Sequence, residues 1–218
     1  MLTDQETFRC NPRGKFIAFE GVNGAGKSTL IAHVTQLLSS VDITYTQTRE
    51  PGATELGKLL RPIILDSKNK DLSDLTELFL FAADRSEHVR KVIQPKLREG
   101  TTVICDRFAY STTAFQGYAN GTDLSLVNKI NQIAVDNTWP DIVVLLDLDP
   151  AVGLARKANA DGPAENDSFE TQDMEYQNKL REGFLALARS APEPFIVLDA
   201  TQPVEGLLEV LKNIFVLD

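Results

Sequence analysis

Gly21-Val22-Asn23-Gly24-Ala25-Gly26-Lys27-Ser28 decides the reading of this chain. The eight residues fit G-x-x-x-x-G-K-[ST], a loop whose glycines let backbone N–H groups converge on phosphate oxygens. Lys15-Phe16-Ile17-Ala18-Phe19-Glu20 precedes it and reads as a buried strand, while Leu30, Ile31, Val34, Leu37 and Leu38 follow at helical spacing. A strand, this loop and a helix in succession are the context the motif needs, because the helix N-terminus adds partial positive charge where an anion would sit. The expected triphosphate cradle is therefore Gly21, Val22, Asn23, Gly24, Ala25, Gly26, Lys27, Ser28 and Thr29. Lys27 is expected to reach the outer phosphates of ATP, and the Ser28 hydroxyl to ligate Mg²⁺.

Beyond the loop the pattern alternates strands with helices. Ile43–Thr48 alternates with period two and ends in the turn-forming Arg49-Glu50-Pro51-Gly52, with a short helix expected over Ala53–Leu65. Asp71-Leu72-Ser73-Asp74 offers caps for a long helix through Leu97, which Pro95 is expected to bend or end. Thr101–Cys105 is the next buried strand, followed by Asp106-Arg107, a helix from about Ser111 and another over Leu124–Asn137. Asp141–Leu148 is a near-continuous apolar strand, Pro150 opens a helix through Lys157, and residues 158–170 read as a mobile loop. A helix from Gln172 to Arg189, a strand over Pro194–Leu198 and a last helix from Val204 complete the order. The pattern implies an α/β protein, a doubly wound parallel five-stranded sheet flanked by helices, in one domain over residues 14–218. Residues 1–13 read as a flexible extension with no signal-peptide core.

Composition bounds the function. A net charge of −9 among 218 residues argues against a nucleic-acid surface or an acidic membrane surface, either of which would want a basic face. No apolar run approaches the length of a membrane span. Cys10 and Cys105 are too few for a disulfide framework or a structural zinc site, and suggest a cytoplasmic protein. An acidic protein that handles small anions must build a local basic pocket, so each arginine near the loop carries weight. Ligands of such a sheet gather at the C-terminal strand edges. There the sequence puts Glu20, Arg49-Glu50, Asp106-Arg107, Asp147, Asp149 and Asp199. Arginines at two edges beside a triphosphate loop suggest a second anionic substrate and phosphoryl transfer between the two.

Phe19-Glu20-Gly21, Arg49-Glu50-Pro51-Gly52, Phe81-x-x-x-Arg85, Asp106-Arg107-Phe108 and Ser111-Thr112-Thr113-Ala114-Phe115-Gln116-Gly117 together resemble the thymidylate kinase family. The resemblance runs from about Gly14 to the C-terminus. It implies transfer of the γ-phosphoryl of ATP to dTMP with Mg²⁺, and the homodimer usual in the family. By the same resemblance Arg49 and Arg107 would hold the dTMP phosphate, where planar guanidinium forks suit an anion. Phe81 would stack on thymine, Arg85 would bond its O4 edge, Thr112 and Gln116 would lie near the base, and Phe115 near the deoxyribose. Asp106 would reach the metal, and Arg156 would be a lid arginine acting on ATP and in catalysis. Asp199–Pro203 matches the family's loop beside adenine.

Each residue has a plainer reading too: salt bridges for Arg49 and Arg107, core packing for Phe81, a helix cap for Asp106. His33 and His88, on separate expected helices, read as solvent-facing.

Three departures from the family pattern stand out. The third loop residue, usually acidic and placed to accept from the sugar 3′-hydroxyl, is Asn23. A usual Tyr is Phe115. The lid, about residues 156–171, reads Asp167-Ser168-Phe169-Glu170 where an arginine is usual at Ser168, and it is acidic overall. Rival readings are a kinase for another deoxynucleotide such as dUMP, an ATP- and dTMP-binding protein with weakened catalysis, and a GTP-dependent switch. The last lacks an Asn-Lys-x-Asp string, since Asn128-Lys129-Ile130-Asn131 has no Asp.

Overall fold

In the computed structural model, described here for residues 9–66, 72–158, 169 and 172–215, the chain alternates strand and helix. In order the elements are β1 (Phe16–Gly21), α1 (Lys27–Ser40), β2 (Tyr45–Arg49), α2 (Glu55–Leu65) and α3 (Asp74–His88). A π-helical turn (Val89–Ile93) joins α3 to α4 (Gln94–Arg98), and β3 (Thr102–Asp106) and α5 (Ala109–Thr112) follow. A second π-helical segment (Thr113–Ala119) leads through α6 (Leu124–Val135), β4 (Ile142–Asp147), α7 (Pro150–Ala158), α8 (Met174–Ser190) and β5 (Phe195–Asp199) to α9 (Val204–Ile214).

The five strands form one parallel sheet in the order β2-β3-β1-β4-β5. Alternate residues of β1 leave on opposite faces, as strand geometry requires. Ile17 and Phe19 join a core with Leu30, Val34, Leu180 and Leu211. Phe16 and Ala18 join a smaller one with Val89, Ile93 and Phe108. Burial on both faces explains why β1, β3 and β4 read as near-continuous apolar runs. From β1 the chain winds one way to β2 and β3 and the other way to β4 and β5. The loops that leave the C-terminal ends therefore diverge and open a crevice there.

Two expectations change. The long helix is not ended by Pro95, because the π-helical turn of Val89–Ile93 absorbs the missing N–H and the ring, and the helix runs on to Arg98. Of the 1–13 extension, residues 9–13 are tied to the domain. Cys10 N donates to Ile214 O at 2.9 Å, and the Arg13 guanidinium donates to the carbonyls of Val41 and Asp42. Most of the expected lid, including Ser168 and Glu170, lies outside the described residues.

Candidate active site

Gly21 ends β1 with φ 138°, and Gly24 and Gly26 take φ 76° and 92°, so the loop winds through backbone conformations that glycine adopts without strain. The winding returns the chain onto Lys27, whose Nζ donates to the carbonyls of Gly21 and Val22, both at 3.0 Å. A Cβ on Gly24 would lie 2.2 Å from the carbonyl oxygen of Gly153, and one on Gly153 would lie 2.5 Å from that of Asn23. The phosphate loop and α7 are thus in backbone-to-backbone contact, which only two glycines allow. Three residues along α7, Arg156 donates from Nη1 to Ala200 O at 3.0 Å. It spans from the loop region to the Asp199–Gln202 turn.

At the neighbouring edge β3 ends in Asp106. Ser28 Oγ donates to Asp106 Oδ2 at 3.2 Å, while Asp106 Oδ1 is buried without a hydrogen-bond partner among the described residues. A hydroxyl beside a carboxylate with an unmatched oxygen is a hard oxygen-donor set, which fits a divalent cation.

Arg107 follows with φ 67°, a left-handed conformation rare for a side-chain-bearing residue. Its amide donates to Phe19 O. Its guanidinium donates to Gly21 O (3.0 Å), Ser111 Oγ (3.1 Å) and Asn23 Oδ1 (2.5 Å), and lies over the Phe115 ring at 5.1 Å. Of five N–H groups, Nε and one on Nη2 have no partner among the described residues and are open to a ligand. The amide oxygen of Asn23, expected to serve a sugar hydroxyl, is engaged by Arg107.

Beneath this turn Glu20 is fully buried. Its Oε1 accepts from the amides of Phe108 (2.9 Å) and Ser111 (3.1 Å), and its Oε2 accepts from Ser111 Oγ (2.5 Å). Burial raises its pKa from 4.5 to about 7 against the opposing pull of those bonds and of Arg107. Glu20 therefore pins the turn that presents Arg107, a role that the Phe-Glu-Gly string does not disclose.

Arg49 closes β2, level with Asp106 on β3, and its exposed guanidinium lines the crevice without a hydrogen-bond or ion-pair partner among the described residues. Arg85 behaves differently. It is 1% exposed and donates to Glu50 Oε2, Asn131 Oδ1 (2.7 Å) and Thr112 Oγ1 (3.0 Å). His88, expected to face solvent, is fully buried against Glu50 and Thr48. Helical periodicity put it on a helix correctly, but its polar partner lies 38 residues earlier in the chain and leaves no periodic trace.

Beyond the arginines the wall is aromatic. Phe169 packs between Phe81 (6.2 Å between ring centroids) and Phe115 (5.2 Å, edge-on). Gln116, fully buried, donates from Nε2 to Glu77 Oε1 at 2.7 Å and leaves its Oε1 without a partner among the described residues. Phe169 is a further site residue: the Asp-Ser-Phe-Glu string contains it, but nothing in that string marks its contact with Phe81 and Phe115. Arg61 is another: it lines the same space, and its Nη1 donates to Pro51 O at 2.8 Å.

These groups surround one cavity of about 790 Å³. Asn23, Gly24, Ala25, Gly26, Lys27, Ser28 and Thr29 line it at one end, and Phe81, Thr112, Phe115 and Gln116 at the other. Arg49, Arg85, Asp106, Arg107 and Arg156 line it as well. Gly21 and Val22 lie beneath, contributing carbonyls to Lys27 rather than surface.

A parallel sheet with this loop at its C-terminal edge, backed by a crevice lined with arginines, defines a P-loop kinase of the α/β class. The comparisons narrow the class. The thymidylate kinase family model matches residues 19–210. The thymidylate kinase of Desulfosudis oleivorans is 45% identical over 192 residues, 86% of this chain and 90% of that one. That of Solidesulfovibrio magneticus is 42% identical over 203 residues, 91% and 97%. A crystal structure of thymidylate kinase from Ehrlichia chaffeensis superposes with a TM-score of 0.72 at 33% identity, covering 91% of this chain and 98% of that one. The chain belongs to the thymidylate kinase family.

Proposed function

We propose that this protein phosphorylates dTMP with ATP, giving dTDP and ADP. The observation that carries this reading is the single cavity joining the triphosphate loop, through the arginines of the β2 and β3 edges, to an aromatic end with an unmatched amide acceptor. The loop amides and Lys27 hold the ATP phosphates, with Gly21–Thr29 as the cradle. Arg49 and the free N–H groups of Arg107 hold the dTMP phosphate in line with the γ-phosphate. As an oxygen of dTMP bonds to the γ-phosphorus, the bond to the β-phosphate oxygen breaks. Lys27, Arg107 and Arg156 then meet the spreading negative charge with fixed donors. Asp106 and Ser28 are the residues that would hold Mg²⁺, which when bound neutralises the β- and γ-phosphate charge.

Phe81, with Phe169 and Phe115, supplies the apolar wall for thymine and deoxyribose. Thr112 and Arg85 line the base end, and Gln116 Oε1 offers an acceptor to an N–H of the base. This reading takes residues 14–218 as one kinase domain with a lid near 156–171, and implies a cytoplasmic protein working on free nucleotides. It also implies a homodimer. α2, α3 and α6 pack side by side and leave Leu59, Phe79 and Ile133 exposed at 69%, 54% and 73%, an apolar face suited to a second copy. Sedimentation of the protein at micromolar concentration tests that face, and a monomer there removes it.

The activity is tested by ADP release with ATP, Mg²⁺ and a panel of deoxynucleoside monophosphates. A kcat/KM for dTMP well above those for dUMP and dCMP is expected. Equal values for dTMP and dCMP overturn the thymine assignment.

A further inference from the structure

The buried face of α3 carries Asp84, Arg85 and His88, which helical geometry brings to the same side. All three reach the turn that follows β2. Gly52 N donates to Asp84 Oδ1 at 3.2 Å. Arg85 Nε donates to Glu50 Oε2 at 2.9 Å, and its Nη2 lies 2.8 Å from the same oxygen in an ion pair. His88 Nδ1 lies 2.9 Å from Glu50 Oε1, and its Nε2 lies 2.8 Å from Thr48 Oγ1. An ionised carboxylate only accepts, so the proton between His88 and Glu50 belongs to Nδ1. Glu50 thus has both oxygens bonded, one to Arg85 and one to His88, in a setting where it is 4% exposed.

Buried ion pairs are weak contributors to stability, since apolar side chains of similar volume often do as well. What this one does is fix geometry. Glu50 is covalently next to Arg49, which faces the cavity at the β2 edge, and is bonded to Arg85, which lines the same cavity. Three of the five Arg85 N–H groups, one on each nitrogen, are committed to Glu50, Asn131 and Thr112, and Nη2 is paired with Glu50 as well, so the orientation of the guanidinium follows from where Glu50 stands.

We propose that His88 is a positioning residue for the monophosphate site. Acting through Glu50, it holds the Arg49 turn and the Arg85 guanidinium at the spacing that one deoxynucleoside monophosphate spans. The inference rests on the reading of Arg49 and Arg85 as substrate-binding residues. Without the His88 donor, Glu50 Oε1 would lie buried and unmatched, and the carboxylate would turn to find a partner, carrying both arginines with it.

The test is steady-state kinetics with separate KM values for dTMP and ATP. His88→Leu is expected to raise the dTMP KM roughly 10- to 100-fold, the scale on which small misplacements act, with the ATP KM unchanged. Thr48→Val, an isosteric change at the edge of the cluster, is expected to raise the dTMP KM a few-fold by the same route, and it keeps the proposal testable if His88→Leu does not fold. His88→Asn, which keeps an N–H toward Glu50, is expected to restore most of the affinity. In an Arg85→Ala background, His88→Leu is expected to raise the dTMP KM by less than it does alone, the remainder being the part that runs through the Arg49 turn. Equal rises in both KM values, or a lowered melting temperature with the dTMP KM intact, overturn the proposal and make His88 a structural residue only. If Arg85→Ala itself leaves the dTMP KM unchanged, the substrate role of Arg85 is what fails.

Discussion

Arg107 shows how strain and chemistry meet at one residue. Its left-handed backbone is unfavourable for a side-chain-bearing residue and persists only where neighbours over-determine it. Here they do, through the Phe19 carbonyl, the Gly21 carbonyl, Ser111 and Asn23. Arg156 is exposed and, among the described residues, is held by the carbonyl of Ala200. Under the proposed mechanism it is the arginine that acts on transferring charge rather than on bound substrate. Arg156→Ala is therefore expected to lower kcat by on the order of 10³ while the dTMP KM stays within about twofold. A variant with full kcat would assign that charge stabilisation to Lys27 and Arg107. The residues that motif strings name, Lys27, Arg49, Arg107 and Gln116, all reach the cavity or its floor. Glu50, Glu20 and His88 were not legible in the same way. Their work is to bond side chains and backbone amides 30 or more residues away in sequence, and no local pattern records such a bond.

Among the elements, α7 and the phosphate loop behave as one piece. The approach of Gly24 to Gly153 leaves no room for a Cβ on either residue. The loop therefore cannot carry a side-chain cation at position 24, and α7 is the element that delivers one, at Arg156. Gly153→Ala puts a methyl group 2.5 Å from the Asn23 carbonyl, so α7 must shift. Kinetics of Gly153→Ala, Arg156→Ala and the double variant separate the consequences. The expected result is a fall in kcat of at least tenfold for Gly153→Ala that shrinks to near nothing in the Arg156→Ala background. Additive losses would mean that the methyl acts on the loop instead. The sequence made the strand-loop-helix order plain because each element is apolar with a clear period. It could not show that two glycines 129 positions apart touch, since a glycine that permits close approach looks the same in sequence as one that permits a turn. Of the two effects expected of Pro95, bending or ending its helix, ending does not occur, because the π-helical turn before it takes up the missing N–H.

For the molecule as a whole, the parallel sheet brings acids to its C-terminal edge, and the fold must hold them there at neutral pH. Glu20 bears the largest burden. In the unfolded chain it titrates near 4.5, and in the fold at about 7. Asp84, at the other side of the crevice, is displaced in the same direction, from 3.8 to about 6, chiefly by burial and then by the charge of Glu50. Between these limits the folded protein holds protons that the unfolded chain has released. Stability linked to these groups is thus fully present at low pH and is lost as pH rises through the folded values. For Glu20 the full loss is about 3 kcal/mol between pH 4.5 and 8. Glu20→Gln removes the titrating group while keeping an oxygen for the amides of Phe108 and Ser111. Urea unfolding of both proteins at pH 5, 6, 7 and 8 measures the difference. The natural protein is expected to lose stability relative to the variant across this range, with most of the divergence below pH 7. Parallel curves would mean that the carboxylate is ionised throughout, balanced by Arg107 and the hydrogen bonds of the 108–111 turn. In that case Glu20 would act on the site as a fixed negative charge beneath Arg107 throughout pH 5–8.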